Sequence, residues 1–146
     1  MTFIAPPPLP DIVLDPIVRL ALAEDLGRAG DLTTDATIPP GTQLTAHLRV
    51  RQPGRLAGMD AAAYALKLID PNVALDAHMS DGDELAPGDI VAVMNGAARS
   101  ILIAERTMLN FLGRLSGIAT LTSQFAERMA HTQAKIVCTR KTTPGH

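Results

Sequence analysis

The longest regular pattern of apolar and polar positions in the chain lies between Ala98 and Ala130. Its apolar side chains recur at steps of three and four residues, which is the spacing of one face of an α-helix. We therefore predict a long helical stretch over residues 98–130 whose apolar face lies in the core. That face consists of Ile101, Ala104, Met108, Phe111, Leu115, Ile118, Phe125 and Met129.

A second face of the same helix is polar and contains two glycines. A glycine inside a helix costs about 1 kcal/mol relative to alanine, so two on one face indicate close approach by another element or a ligand, or a break near residues 116–117. An arginine on such a face can bind an anion. The simpler interpretation is a solvated arginine beside glycines that allow tight packing. The face consists of Arg99, Arg106, Asn110, Gly113, Gly117, Thr120 and Gln124.

The segments before this helix alternate between helical and extended patterns. Asp15 and Pro16 suit the start of a helix whose buried face would hold Ile17, Leu20, Ala21 and Leu26 and which Gly27 or Gly30 would end. Alternating positions predict a strand with one buried face at residues 43–52. We further predict a polar turn at 30–35, a short extended piece at 55–57, a helix at 61–69, and strands at 72–79 and 89–94. A proline-rich arm at residues 1–11 precedes them all.

After the long helix, an apolar run at residues 134–138 is long enough for one buried strand. Thr139, Arg140 and Lys141 follow it. A buried strand that delivers cations and hydroxyls at its carboxyl end is where an α/β fold places an anion site. The alternative at this position is a solvated basic turn.

Composition excludes several classes of function. The 146 residues are 47% hydrophobic and 19% charged, with a formal net charge of -2, which predicts a folded protein without a basic field for nucleic acid. The single cysteine, Cys138, excludes an intrachain disulfide and is expected to be buried, which favours a cytoplasmic protein. Neither a signal peptide nor a membrane helix is readable. The four histidines are scattered, and the acidic residues between Asp76 and Asp89 do not match a calcium-binding loop, so no metal site is predicted.

Five segments carry a resemblance to a known family. They are LAEDLG at residues 22–27, GDLTT at 30–34, AERTMLNFL at 104–112, LSGIAT at 115–120 and TRKTTPG at 139–145. Together they strongly resemble quinolinate phosphoribosyltransferase, also called nicotinate-nucleotide pyrophosphorylase (carboxylating). The likeness runs from about Ile12 to the last residue, in the order and spacing of that family.

The resemblance implies an α+β or α/β protein: an N-terminal α/β sandwich at residues 12–130, with a barrel-sandwich-like sheet, and the first strand of a C-terminal α/β barrel at 131–146. It also implies a homodimer in which the N-terminal domain of one subunit covers the barrel site of the other. The reaction converts quinolinate and phosphoribosyl pyrophosphate into nicotinate mononucleotide, pyrophosphate and carbon dioxide in NAD biosynthesis. Mg²⁺ acts with the phosphoribosyl donor, and its ligands are not expected in this chain.

Carried over by motif, Arg106 and Lys141 are the expected catalytic residues. Arg106 would reach a quinolinate carboxylate in the partner's site, with its glycine-containing face turned toward that partner. Thr139, Arg140 and Lys141 would bind the same substrate and a nearby phosphate. Clustered cations suit this chemistry because quinolinate is a dianion and the phosphoribosyl donor is more negative still.

The family's chain is about twice as long as this one, so we expect the 146-residue chain to be inactive alone and the segment at 135–138 to pack poorly. Two alternatives stay open. One is the related pyrophosphorylase-like protein found with molybdate transport. The other is a non-catalytic dimerisation or barrel-sandwich module, because residues 43–96 also resemble the barrel-sandwich modules that carry lipoyl or biotinyl groups. Those modules present the carrier lysine at a hairpin tip, and no lysine lies between two adjacent strands here.

Overall fold

The computed structural model describes residues 7–139 and Lys141. The chain forms four helices and five strands over this part, and the order of the elements mixes the two types. The elements are α1 (Asp11–Leu26), α2 (Leu32–Thr37), β1 (Gln43–Arg49), β2 (Gly54–Arg55), α3 (Met59–Ile69), β3 (Ala74–Ala77), β4 (Glu84–Leu85), β5 (Ile90–Ala97) and α4 (Ala98–Met129).

Two antiparallel sheets lie beside the helices. The larger has the order β1-β5-β3, and β1 pairs with β5 from Gln43 opposite Ala97 onward. The smaller is formed by β2 and β4 alone. Within the described residues no sheet closes into a barrel, so the α+β class is confirmed.

The core lies where α3 packs against α1 and α4 and where one face of the larger sheet is covered. Small side chains on α3 allow the close packing, because Ala62 and Ala65 are fully buried between larger neighbours. The largest fully buried side chains come from three different helices: Val18, Leu66, Ile101, Thr107 and Met108. The predicted half-buried strand is also confirmed, since Leu48 of β1 is buried while His47 and Arg49 are exposed.

Helix α1 differs from the prediction in its start and in its buried face. It begins at Asp11, with Pro10 as N-cap residue, so Pro16 lies inside the helix. The ring of Pro16 is on the exposed side, where a lost backbone hydrogen bond faces water. The buried residues are Leu14, Val18 and Leu22, spaced by four; Ile17 is partly buried and Leu20 is 58% exposed. Gly27 ends the helix as predicted.

The long helix α4 is continuous from Ala98 to Met129, so the possible break at residues 116–117 does not occur. Its predicted core face is buried only over the first half. Ile101, Ala104 and Met108 are buried, whereas Ile118 and Phe125 are 57% and 52% exposed. The second half of the helix contacts the segment around β2 through Ser116 and Thr120, but its exposed apolar side chains have no cover in the described chain.

The predicted strand at residues 134–138 is not formed. Residues 134–139 have no regular structure, and Ile136 and Val137 are exposed. A strand needs a neighbouring strand to satisfy its backbone hydrogen bonds, and none lies beside this segment in the described part of the chain. Cys138, predicted to be buried, is exposed for the same reason.

Candidate functional site

Arg106 lies on the polar face of α4 with 65% of its side chain exposed. Its Nε atom is 2.7 Å from Oδ1 of Asp25, which lies near the end of α1. Asp25 is far less accessible, with 15% of its side chain exposed, and its second oxygen, Oδ2, is buried without a hydrogen-bond partner among the described residues. The helix pair α1 and α4 thus fixes one edge of the guanidinium and leaves its tip toward solvent.

Asp31 is a second carboxylate close enough to sense Arg106. It is the N-cap of α2 and accepts a hydrogen bond from the backbone N–H of Thr34 at 3.0 Å and another from the Thr34 hydroxyl. The Thr34 hydroxyl and N–H hold the pKa of Asp31 below its usual range, and the charge of Arg106 adds to this effect. The segment predicted as a polar turn is therefore a capped helix that lies beside the candidate site.

Arg99 has a different environment although it lies on the same predicted face. Its Nε donates to the carbonyl of Ile38 at 2.8 Å, and its two Nη atoms donate to the side chain and the carbonyl of Asp35 at 2.9 and 3.1 Å. These contacts fasten α2 to the start of α4. Arg99 is accordingly a structural residue and has few donors left for a ligand.

The two glycines of the polar face are open to their surroundings. A Cβ atom added at Gly113 or Gly117 would meet nothing within 4 Å in the described structure. We predicted that another element or a ligand would approach α4 closely at these glycines. No described element of the same chain does so.

Thr120, grouped with that face from the sequence, instead packs against the small sheet. Its hydroxyl accepts from the backbone N–H of Arg55 at 2.8 Å and donates to the carbonyl of Ser116 at 2.7 Å. The hydroxyl of Ser116 bonds both the N–H and the carbonyl of Ala57. The LSGIAT segment therefore anchors β2 to α4.

The predicted basic loop is only partly described. Thr139 and Lys141 are exposed, and Arg140 lies outside the described residues. Over residues 7–139 and Lys141, no hydrogen bond or ion pair joins Arg106 to Thr139 or Lys141. Within one chain the structure brings Arg106 together with Asp25 and Asp31. Neither acid was identified from the sequence as its partner.

Two family models match the chain. The family model described as the quinolinate phosphoribosyl transferase N-terminal domain matches residues 31–116, and that of the C-terminal domain matches residues 118–146. The chain belongs to the quinolinate phosphoribosyltransferase family. The two matches meet inside α4, and the predicted domain boundary at residues 130–131 stays a prediction.

Curated relatives support this assignment over nearly the whole chain. A protein from Nicotiana glauca named quinolinate phosphoribosyltransferase [decarboxylating] 1 is 42% identical over 142 residues, which is 97% of this chain and 40% of the relative. A nicotinate-nucleotide pyrophosphorylase [carboxylating] from Mycobacterium leprae is 42% identical over 133 residues, 88% of this chain and 46% of the relative. The chain thus spans less than half the length of these quinolinate phosphoribosyltransferases.

Solved structures of the family share the fold. NadC from Streptococcus pyogenes matches with a TM-score of 0.89 at 35% identity, covering 95% of this chain and 49% of that one. A nicotinate-nucleotide pyrophosphorylase from Francisella tularensis matches with a TM-score of 0.88 at 32% identity, covering 99% and 50%.

Two further observations concern the described residues of this family member. They contain no group of three or more histidine, cysteine, aspartate and glutamate side chains that could hold a metal ion. None of their helices is long and apolar enough to span a bilayer. Some plant relatives are named as mitochondrial or chloroplastic, so the cytoplasmic location stays a prediction.

Proposed function

We propose that this chain supplies the N-terminal portion of a quinolinate phosphoribosyltransferase, which converts quinolinate and phosphoribosyl pyrophosphate into nicotinate mononucleotide, pyrophosphate and carbon dioxide. The proposal rests on Arg106, whose guanidinium is exposed and forms an ion pair with Asp25. This residue lies within the segment that matches the family's N-terminal domain. A guanidinium grips a carboxylate through two parallel hydrogen bonds, and quinolinate offers two carboxylates on one ring.

In this proposal the protein acts mainly by positioning and charge. The pyridine nitrogen attacks the anomeric carbon as pyrophosphate leaves, and the cations hold the two anionic substrates together against their repulsion. Arg106 binds a carboxylate of quinolinate, and Thr139, Arg140 and Lys141 bind the same substrate and a phosphate. Carbon dioxide then leaves because the quaternary ring nitrogen stabilises the electron pair that remains on the adjacent carbon, and that carbon takes up a proton from water.

Mg²⁺ is proposed to arrive with phosphoribosyl pyrophosphate. No group of three or more histidine, cysteine, aspartate and glutamate side chains lies together among the described residues, and we propose no ligand for this ion on them. The two acids nearest the site are engaged elsewhere: Asp25 pairs with Arg106, and Asp31 caps α2. No step is therefore assigned to the metal on this chain.

We further propose that the protein works as a homodimer, with the exposed second half of α4 turned toward the second subunit. Two observations support this orientation. There is open space around Gly113 and Gly117, and the apolar side chains of Ile118 and Phe125 are exposed. Arg106 lies on the same helix, so it would complete the partner's site. Gly117→Arg is expected to leave the subunit folded but to abolish dimer formation, measured by sedimentation; an unchanged dimer would contradict this orientation.

The experiment that tests the proposed activity uses a hybrid enzyme in which this chain replaces the matching segment of the Mycobacterium leprae relative. We expect the hybrid to turn over quinolinate, and Arg106→Ala to lower kcat/KM for quinolinate about a hundredfold. Arg114→Ala is the matched control, because Arg114 is another exposed arginine on α4 and makes no ion pair with Asp25.

A folded hybrid without turnover, or one in which Arg106→Ala has no more effect than Arg114→Ala, would contradict the proposed activity. The second outcome would favour the non-catalytic module. The comparisons favour the quinolinate enzyme over the molybdate-associated relative, because the relatives described above are named for quinolinate or nicotinate-nucleotide chemistry.

A further inference from the structure

The carboxylate of Asp25 is an unusual neighbour for an exposed arginine. A largely buried acid with one buried oxygen that lacks a hydrogen-bond partner among the described residues contributes little to stability, because the charge loses its hydration. The exposed guanidinium of Arg106 is also well hydrated and does not need a carboxylate partner to be stable at the surface. The pair is therefore better explained by what it does to the orientation of Arg106 than by what it adds to folding.

The geometry of the contact determines that orientation. A guanidinium has a side edge that carries the Nε–H and a tip that carries the two Nη groups, and either can face a carboxylate. Asp25 lies 2.7 Å from Nε and so engages the side edge. Oδ2 of Asp25 accepts no hydrogen bond from any described residue, so Asp25 does not engage the tip, which keeps its paired donors toward solvent for another anion.

We propose that Asp25 is a positioning residue, which holds Arg106 by its side edge so that the tip of the guanidinium meets a carboxylate of quinolinate. This inference rests on the proposed function. The orientation is set before the substrate arrives, so less side-chain freedom is lost on binding. Because Asp25 and Arg106 are on different helices, the packing of α1 against α4 fixes the direction of the side chain.

The test uses Asp25→Asn in the hybrid enzyme, since asparagine keeps the shape of the side chain and removes its charge. We expect the KM for quinolinate to rise about tenfold, while the KM for phosphoribosyl pyrophosphate and the thermal midpoint of unfolding stay the same. In the Arg106→Ala background the same substitution should have no further effect on kcat/KM, because the two residues act as a unit. Asp25→Glu should recover part of the loss.

Asp35→Asn is the matched control. Asp35 also pairs with an arginine of α4, but with Arg99 rather than Arg106, so the KM for quinolinate should be unchanged. A second readout does not depend on turnover: in protein with ¹⁵N-labelled arginine, the Nε–H signal of Arg106 should show restricted motion that Asp25→Asn abolishes.

The outcomes separate this inference from the proposed function. If Arg106→Ala raises the KM for quinolinate and Asp25→Asn does not, the positioning role is wrong while the proposed function stands. If Arg106→Ala itself leaves the kcat/KM for quinolinate unchanged, the proposed function fails. A mobile Arg106 Nε–H in the unsubstituted protein would also overturn the positioning role.

Discussion

Arg99 and Arg106 are two helical turns apart on α4, and the acids opposite them give them different roles. Arg99 uses its donors on Asp35 and on the carbonyl of Ile38, whereas Arg106 pairs with Asp25 through Nε. The periodicity of the helix predicts that both residues share a face. It does not predict their partners, because Asp25 is about eighty residues away from Arg106 in the sequence.

The carboxylate of Asp31 should make the stability of the protein depend on pH. Its pKa is lowered in the folded protein, mainly by the Thr34 hydroxyl and N–H, so its ionised form stabilises the fold above the unfolded pKa of about 3.9. That contribution is lost as the pH falls through the lower folded pKa. An asparagine at this position would also cap the helix but cannot ionise. We therefore expect the denaturation midpoint to fall more steeply below about pH 4 in the natural protein than in Asp31→Asn.

Urea titrations of both proteins at several pH values measure this difference. Asp76→Asn is a suitable control, since Asp76 is exposed and lies away from the caps. Identical pH profiles for the natural protein and Asp31→Asn would show that Asp31 does not act as a charged cap.

At the scale of elements, regular periodicity predicts α3, β1 and α4 well, because each has one buried face over several residues. The extended piece predicted at residues 55–57 overlaps β2, but β4 and the pairing of the two strands were missed, because two residues each are too few for any period. The start of α1 was misplaced because Pro16 was assigned to the first turn, a position where proline is common. Asp25 and Asp31 lay inside recognised motifs, but only the packing of three helices shows that they surround Arg106.

The junction between α4 and β2 depends on the absence of a side chain at Gly54. A Cβ atom there would lie 2.5 Å from Oγ1 of Thr120, which is held by hydrogen bonds to Arg55 and Ser116. We expect Gly54→Ala to lower the free energy of unfolding by about 1–3 kcal/mol, measured by chemical denaturation.

Gly117→Ala is the matched control for that substitution, because it adds a methyl group in open space on α4, the helix that carries Thr120. It should raise the free energy of unfolding by up to about 1 kcal/mol, as alanine is the better helix former. Equal effects of the two substitutions would show that the contact between Gly54 and Thr120 does not restrict the junction.

At the scale of the whole molecule, the described chain has a folded core and one helix whose second half lacks a cover. The exposed apolar side chains in the second half of α4 differ from the prediction, whereas the exposure of Ile136 and Val137 agrees with the expectation that residues 135–138 pack poorly. Sequence patterns predict which faces are apolar. They cannot show whether the same chain or another one covers them.

The purified 146-residue chain is expected to show no turnover of quinolinate. The chain spans only 40% of the length of the Nicotiana glauca relative. Among the described residues, no contact joins Arg106 to Thr139 or Lys141. Measured nicotinate mononucleotide formation by this chain alone would contradict that expectation. The intact hybrid enzyme, assayed in parallel, is the control.

The central claim is that Arg106 of one subunit serves the site that holds Lys141 of the other. Co-expression of Arg106→Ala and Lys141→Ala forms of the hybrid, each nearly inactive alone, tests this directly. In a symmetric dimer, mixed pairs would carry both substitutions in one site and neither in the other, so random mixing should restore about a quarter of the natural turnover. Turnover of the mixture no higher than the mean of the two separate variants would contradict the claim.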